Sequence, residues 1–108
     1  MDNLVILSSC ESGKGAVKNG AGVFSLSRDF LQAGAQTVIK SLWAVNETST
    51  KELMIDFHKN FTSGHSASMA LTLAKRNLKQ NPKYAHAYYW AGFVLEGNPN
   101  IYLDLDNL

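Results

Sequence analysis

The sequence predicts one α/β domain built on a mostly parallel sheet, and three observations predict it. The 108 residues are 45% hydrophobic and 18% charged, which suits one ordinary core and leaves no room for a second domain. Apolar runs of strand length alternate with segments of helical periodicity. Glycine, asparagine and proline separate these segments. The resulting order of strand, helix, strand, two helices and strand implies right-handed parallel crossovers.

The first strand and the first helix are predicted from two different hydrophobic patterns. Residues 4–7 form a continuous apolar run, which is typical of a strand buried on both faces. Residues 11–21 carry several glycines and lysines and are predicted to form a loop. A helix is predicted from Gly22, and Gly34 stands where a left-handed residue would end it. The apolar face of this helix recurs at i, i+3 and i+7: Val23, Leu26 and Phe30.

The next three elements follow from strand composition and from capping residues. Residues 37–43 are rich in β-branched and large apolar side chains and predict the second strand. Residues 49–52, Ser-Thr-Lys-Glu, have capping-box spacing and predict the start of a second helix, which Gly64 ends. Ser66 is the predicted N-cap of a third helix, and the Asn-Pro pair at 81–82 stops it.

The last predicted strand is the aromatic and apolar run at residues 88–95, ended by Gly97 and Pro99. Three strands make a thin sheet, and three helices can cover its two faces only in part. Because the chain opens inside a buried-type strand, we expect the natural beginning of the fold to lie upstream of this sequence.

Charge and cysteine content exclude several classes of function. Ten Lys and Arg against nine Asp and Glu give a net charge of +1, with no footprint for nucleic acid. No apolar stretch approaches the roughly 18 residues that span a bilayer, and no signal peptide is predicted. The single cysteine, Cys10, excludes an intramolecular disulfide and a multi-cysteine zinc site. The sequence therefore predicts a cytoplasmic protein without nucleic-acid or membrane partners.

Cys10 directly follows the first predicted strand and directly precedes the glycine-rich loop. Sites in parallel α/β sheets lie at the carboxyl ends of strands, so a thiol here could act as a nucleophile. The alternative is structural, because cysteine is among the most buried residue types and often behaves as a small hydrophobe. Position alone leaves both interpretations open.

The glycine-rich loop matches none of three phosphate-binding motifs. A Walker loop fails because alanine and glycine follow Gly20 in place of the lysine and the hydroxyl residue. A dinucleotide fingerprint fails because Lys18 stands at its third glycine position, and a cysteine-phosphatase loop fails because Ala16 replaces the arginine. These failures favour a plain flexible loop, and they weaken a third functional interpretation, a small ligand-binding α/β domain that uses this loop. No cofactor is predicted.

Nucleophilic cysteine catalysis also needs a histidine to accept the thiol proton. His58 and His65 have the pattern of surface residues, whereas His86 precedes the last strand and could stand near an end of the sheet. Their spacing matches no metal-binding motif, and no metal is predicted.

Glu47 lies in the loop after the second predicted strand, and that strand should end beside the strand of Cys10. An acid near a nucleophile could bind a basic substrate side chain. The alternative is that Glu47 stabilises the amino terminus of the following helix through its dipole. Trp43, at the end of the same strand, is more typical of a core residue than of a ligand platform.

A series of segments, taken together, resembles the CHAT family, caspase-fold domains often attached to tetratricopeptide repeats. The segments cover about nine-tenths of the chain, in order and with family-like gaps. They are LVILSSCESG (4–13), GAGVFSL (20–26), FLQAGA (30–35), SLWAV (41–45), GHS (64–66) with AL (70–71), and HAYYWAGFVL (86–95).

The resemblance implies site residues, because the CHAT family groups with caspases and separase as cysteine endopeptidases. It implies that Cys10 is the nucleophile and that its backbone N–H helps to stabilise the tetrahedral oxyanion. It implies substrate binding at Ser8, Trp43 and Glu47, since separase-like relatives use an acid after L-W-x-V to bind a basic residue. Asn46 and Glu47 stand where family members often carry paired aspartates.

The resemblance also implies an incomplete domain. The family's catalytic histidine lies on an earlier strand than the cysteine, and His86 matches a different, non-catalytic family histidine. The expected fold is the carboxyl-terminal part of a caspase-like three-layer α/β/α domain with a mostly parallel sheet. That part spans residues 1–97, and residues 98–108 are expected to form a tail.

Two functional interpretations follow from the resemblance. The first is the nucleophile-bearing half of a cysteine endopeptidase that acts on a protein or peptide. It would need the upstream, histidine-bearing half of the domain and could be associated with tetratricopeptide repeats. The alternative is a degenerate caspase-like module without catalysis, which binds proteins and could self-associate through an uncovered sheet edge.

Overall fold

The computed structural model describes residues 4–7 and 20–103. In the first helix, it describes the side chains only from residue 26 onward. The α/β class predicted from the sequence is confirmed, with three strands, three helices and two short 3₁₀ turns in that part of the chain. In order, these are β1 (Leu4–Leu7), α1 (Gly20–Gln32), β2 (Thr37–Ser41), α2 (Glu47–Thr62), α3 (Ala67–Gln80), the turns Pro82–Tyr84 and Ala87–Tyr89, and β3 (Phe93–Gly97).

The described sheet is mixed, with β2 between β1 and β3. β1 runs parallel to β2, with Ile6 beside Ile39, as the single intervening helix predicts. β3 runs antiparallel to β2, with Leu95 beside Ile39, which differs from the parallel direction predicted for it. The physical reason is the number of connecting helices. A single helix carries the chain back to the end of the sheet where the preceding strand began, so the next strand runs parallel to it. A helical hairpin carries the chain back to the end where the preceding strand finished, so the next strand runs antiparallel.

The third strand also begins later than the predicted residues 88–95. Residues 87–89 instead form a 3₁₀ turn, because the ring Nδ1 of His86 accepts a hydrogen bond from the backbone N–H of Tyr88 at 3.0 Å. Such a local side-chain bond to the backbone competes with strand pairing. Pairing with β2 therefore starts only at Phe93, opposite Ser41.

The helical hairpin begins and ends at residues with clear local reasons. Asn46 caps α2 by accepting from the N–H of Ser49, so α2 begins two residues before the predicted capping box. Ser66 caps α3 as predicted, accepting from the N–H of Met69. Between the helices, Gly64 adopts a positive φ of 107°, a conformation that favours glycine.

The main core lies between the sheet and the α2–α3 hairpin. All five residues of β2 are buried, which is the pattern of a strand covered on both faces. The buried hydrophobic side chains of this core are Ile39, Val45, Leu53, Phe57, Phe61, Ala67, Ala70, Leu71, Ala74, Leu78, Tyr84, Phe93 and Ile101. Phe57 and Phe61 stack with their ring centroids 5.6 Å apart.

The opposite face of β2 carries a charged side chain. Lys40 is 1% exposed and its Nζ lies 2.6 Å from Glu96 Oε1 on β3. Ser27 of α1 is also buried there, whereas Leu26 and Phe30, on the predicted apolar face of α1, are exposed. α1 therefore turns a hydroxyl toward the ion pair and leaves part of its apolar face uncovered within the described residues.

The first part of the predicted tail packs onto α3. The carbonyl oxygens of Pro99 and Ile101 accept hydrogen bonds from the backbone N–H groups of Ser68 and Ala67, at 3.0 and 2.9 Å. The first N–H groups of a helix have no partner within it, so these bonds satisfy them. Ile101 is buried in the core, which connects the residues after β3 to the folded unit.

Candidate functional site

The candidate site is the end of the sheet at which the parallel strands β1 and β2 both have their carboxyl ends. Leu7, the last residue of β1, is paired with Lys40, one residue before the end of β2. Ser8 and Cys10 follow Leu7 in the sequence but lie outside the described residues. The structure does describe Trp43 and Glu47, in and just after the loop that follows β2.

Trp43 is attached to a segment that is distant in sequence. Its ring Nε1 donates a hydrogen bond to the carbonyl oxygen of Tyr88 at 2.9 Å, across 45 residues. The hydroxyl of Tyr88 donates in return to the carbonyl oxygen of Ala44 at 2.8 Å. These two bonds fix both the indole and the backbone beside it.

Gly92 packs directly against the same indole ring. The N–H of Leu42 donates to the carbonyl oxygen of Gly92 at 2.9 Å, which holds the two backbones side by side. A Cβ on Gly92 would lie 2.7 Å from Cε2 of Trp43, closer than two non-bonded carbon atoms approach in proteins. The ring therefore lies directly on the Gly92 backbone, where a larger residue would force the indole to move, and 39% of Trp43 remains exposed.

Glu47 is the first residue of α2 and is exposed. An acidic side chain in the first turn interacts favourably with the helix dipole, so this position fits the structural alternative for Glu47. This position leaves the Glu47 carboxylate available to a ligand, because no hydrogen bond or ion pair holds it within residues 4–7 and 20–103. Trp43 and Glu47 thus present an exposed aromatic ring and an exposed carboxylate within one short stretch after β2.

The sequence pattern does not predict that Tyr88 and Gly92 contact the candidate site. Both lie in the aromatic run 86–95, which has the composition of a strand. The available signal was the glycine inside that run, because an interior glycine often marks a close approach by another group. That group is the indole of Trp43.

The histidines have surface or structural positions. His58 and His65 are exposed, and His86 uses its ring Nδ1 to accept the hydrogen bond from Tyr88. In the described part of the chain, no three histidine, cysteine or acidic side chains are grouped to hold a metal ion. Over the same residues, no helix is both long enough and apolar enough to cross a membrane.

Comparison with known proteins identifies the family. The chain is 37% identical over 95 residues to human tetratricopeptide repeat protein 28 and 36% identical to the mouse protein of that name. Each match covers 88% of this chain and 4% of the relative, so the chain spans about one twenty-fifth of their length. No solved structure matches significantly. The CHAT domain model matches residues 2–98, and the chain belongs to the CHAT domain family.

Proposed function

We propose that this chain is the nucleophile-bearing part of a CHAT-type cysteine endopeptidase, with Cys10 as the nucleophile. The observation that supports this most directly is the parallel pairing of β1 with β2. The segment after β1 carries Cys10, and the segment after β2 carries Trp43 and Glu47. Active sites of parallel α/β sheets form where adjacent strands end, and this pairing brings the carboxyl ends of β1 and β2 together at one end of the sheet.

The proposed reaction is hydrolysis of a peptide bond through an acyl-enzyme. The thiolate of Cys10 attacks the carbonyl carbon and forms a C–S bond, while the carbonyl electrons move to oxygen. The backbone N–H of Cys10 stabilises this oxyanion. Collapse of the intermediate breaks the C–N bond and releases the amine, which takes a proton from the catalytic base. Water then hydrolyses the thioester and regenerates the thiol.

The base in this proposal is a histidine supplied by the upstream half of the domain. The described histidines are poor candidates, because His58 and His65 lie at the surface of the α2–α3 hairpin and His86 caps a turn. The chain alone is therefore expected to be inactive. Completion by the histidine-bearing half would create the nucleophile–base pair.

The substrate pocket in this proposal is formed by Ser8, Trp43 and Glu47. An exposed carboxylate and an exposed indole together suit a basic side chain, through an ion pair and a cation–π contact. We expect the completed enzyme to prefer Arg or Lys before the scissile bond. Glu47→Gln should lower that preference at least tenfold in kcat/KM, whereas Glu52→Gln, also exposed on α2, should leave it unchanged.

Alkylation of Cys10 by iodoacetamide tests the proposal, because this chain has no other cysteine. In the chain alone, we expect the pH dependence of an ordinary thiol, with a pKa of about 8.5. After addition of an upstream, histidine-bearing segment of a CHAT domain, the reactive pKa should fall below about 7. Peptide cleavage should appear with it and be lost in Cys10→Ala. Cleavage that persists in Cys10→Ala would overturn the assignment.

The curated relatives suggest the protein context of this domain. Both are named for tetratricopeptide repeats, which form extended surfaces that bind other proteins. We infer that this domain also works beside such repeats, and that they deliver a protein substrate to it.

A second candidate function is protein interaction without catalysis, and exposed apolar residues favour it. Within the described sheet, β1 has a neighbouring strand on one side only. Ile6 of this strand and Leu26 and Phe30 of α1 are exposed. Such an edge can pair with a second copy of the chain.

Sedimentation at increasing protein concentration tests this candidate. Ile6→Lys should abolish self-association, whereas Ile55→Lys, at an exposed isoleucine on α2, should not. A monomer at all concentrations would count against it.

A further inference from the structure

A second site is formed by α3 and the residue that follows the last 3₁₀ turn. A cavity of about 220 Å³ lies there, and none of its lining residues belongs to the candidate site described above. Four of them recur on α3 with spacings of three, four and seven residues, which places them on one side of the helix. The lining residues are Thr72, Lys75, Arg76, Lys79 and Trp90.

The charge of this cavity is strongly one-sided. Three of the five lining residues are cationic and none is acidic, although the whole chain has a net charge of only +1. Among residues 4–7 and 20–103, neither Lys75 nor Arg76 has an ion pair with a carboxylate. Lys75 is half-buried, and desolvation lowers the pKa of its ammonium group. An anionic ligand would offset this repulsion and desolvation.

Trp90 forms a fixed apolar wall beside these cations. Its ring Nε1 donates to the carbonyl oxygen of Ala85 at 3.2 Å, and its backbone N–H donates to that of Ala87 at 3.2 Å. The ammonium of Lys79 lies 5.2 Å from the centre of the indole ring. A ligand that is anionic at one end and apolar at the other would match both parts of the cavity.

The cavity size restricts the ligand further. The volume of the cavity is about 220 Å³. Pockets for drug-sized ligands are larger, about 300 to 1,000 Å³. A single phosphorylated side chain or a small phosphate ester fits this space.

We propose that this cavity binds a phosphate monoester, with Lys75, Arg76 and Lys79 binding its oxygens and Trp90 packing against its organic part. A phosphate monoester carries nearly two negative charges at neutral pH, which three cations balance better than they would a single carboxylate. The guanidinium of Arg76 can also bind two phosphate oxygens at once. Thr72 is not a donor here, because its hydroxyl already donates to the carbonyl oxygen of Ser68 at 2.9 Å.

Heteronuclear NMR of the 108-residue chain tests this site, with phenyl phosphate as the first probe at constant ionic strength. We expect a saturable shift of the indole N–H signal of Trp90, while that of Trp43 serves as an internal reference. Arg76→Gln, at an exposed position, should weaken phenyl phosphate binding at least tenfold. Lys51→Gln removes one charge at an exposed position on α2 and should leave it unchanged.

Further probes distinguish the source of the phosphate. Tighter binding of a phosphoserine peptide than of inorganic phosphate would support a phosphorylated protein as the ligand, and equal binding would support a small free phosphate. Benzoate binding as tightly as phenyl phosphate would overturn the proposal, as would a Trp90 shift that never saturates. A Trp90 shift that Arg76→Gln leaves unchanged would overturn it too.

Discussion

Lys40 Nζ lies 2.6 Å from Glu96 Oε1, and the two partners of this ion pair differ sharply in burial. Lys40 is 1% exposed on the central strand, whereas Glu96 is 38% exposed on β3. The hydroxyl of Ser27 donates to the same carboxylate oxygen at 2.7 Å, so the pair connects β2, β3 and α1. Lys40 is shielded from water, whereas Glu96 is partly exposed to it. Removing Glu96 should therefore lower the free energy of unfolding more than removing Lys40 does.

Replacement of one partner at a time tests this asymmetry. Glu96→Gln leaves a buried ammonium without its carboxylate, and we expect the free energy of unfolding to fall by about 2 to 3 kcal/mol. Lys40→Met puts an apolar chain of similar length into the dry site and leaves a carboxylate that water reaches. We expect that change to cost under about 1 kcal/mol. Urea denaturation measures both, and equal costs would contradict the asymmetry.

The same pair predicts a pH dependence of stability. Hydrogen bonds from Lys40 and then Ser27 hold the pKa of the Glu96 carboxyl below its ordinary value of 4.5. Because the pKa is lower in the folded chain than in the unfolded one, the carboxylate stabilises the fold above pH 4.5. This contribution is lost as the pH falls through the folded pKa.

Denaturation series at several pH values measure this effect. The stability difference between the parent chain and Glu96→Gln should be constant near neutral pH and shrink below pH 4.5. A difference that does not change with pH would show that the ionisation of Glu96 contributes nothing.

Gly92→Ala tests the contact that supports Trp43. The added methyl would lie 2.7 Å from the indole, so the ring must move and its bond to the Tyr88 carbonyl should break. We expect a loss of about 1 to 3 kcal/mol and a shifted Trp43 indole signal. The same substitution in a Trp43→Ala background is the control, since without the ring it should cost much less. Equal costs in both backgrounds would exclude the clash as the cause.

Ile101→Ala tests whether the residues after β3 belong to the folded unit. Ile101 is 5% exposed and packs in the core, so we expect the free energy of unfolding to fall by about 2 to 4 kcal/mol. The neighbouring Tyr102 is 55% exposed, and Tyr102→Ala should change it by less than about 0.5 kcal/mol. Thermal and urea denaturation measure both variants. A negligible effect at Ile101 would assign these residues to an independent tail.

Much of the fold was predictable because local signals determine it. The apolar run of β1, the serine cap at Ser66 and the glycines at 34 and 64 each act within a few residues. The structure has the corresponding strand, helix start and helix ends. The candidate site was predictable in part, since Trp43 and Glu47 do follow β2 at the edge where β1 ends. The hydrogen bond from Trp43 to Tyr88 was not predictable, because 45 residues separate its two partners.

By itself, the sequence determined the family, the order of helices and strands and most of their boundaries, because periodicity and capping depend on near neighbours. Only the tertiary structure decided the antiparallel direction of β3, the burial of Lys40 and the attachment of Trp43 to Tyr88. The β2–β3 pairing, the Lys40–Glu96 ion pair and the Trp43–Tyr88 hydrogen bond each join residues more than 40 positions apart. A charged residue in a strand pattern carries no mark of its partner, so Lys40 could be assigned to the interior only once packing brought Glu96 and Ser27 beside it.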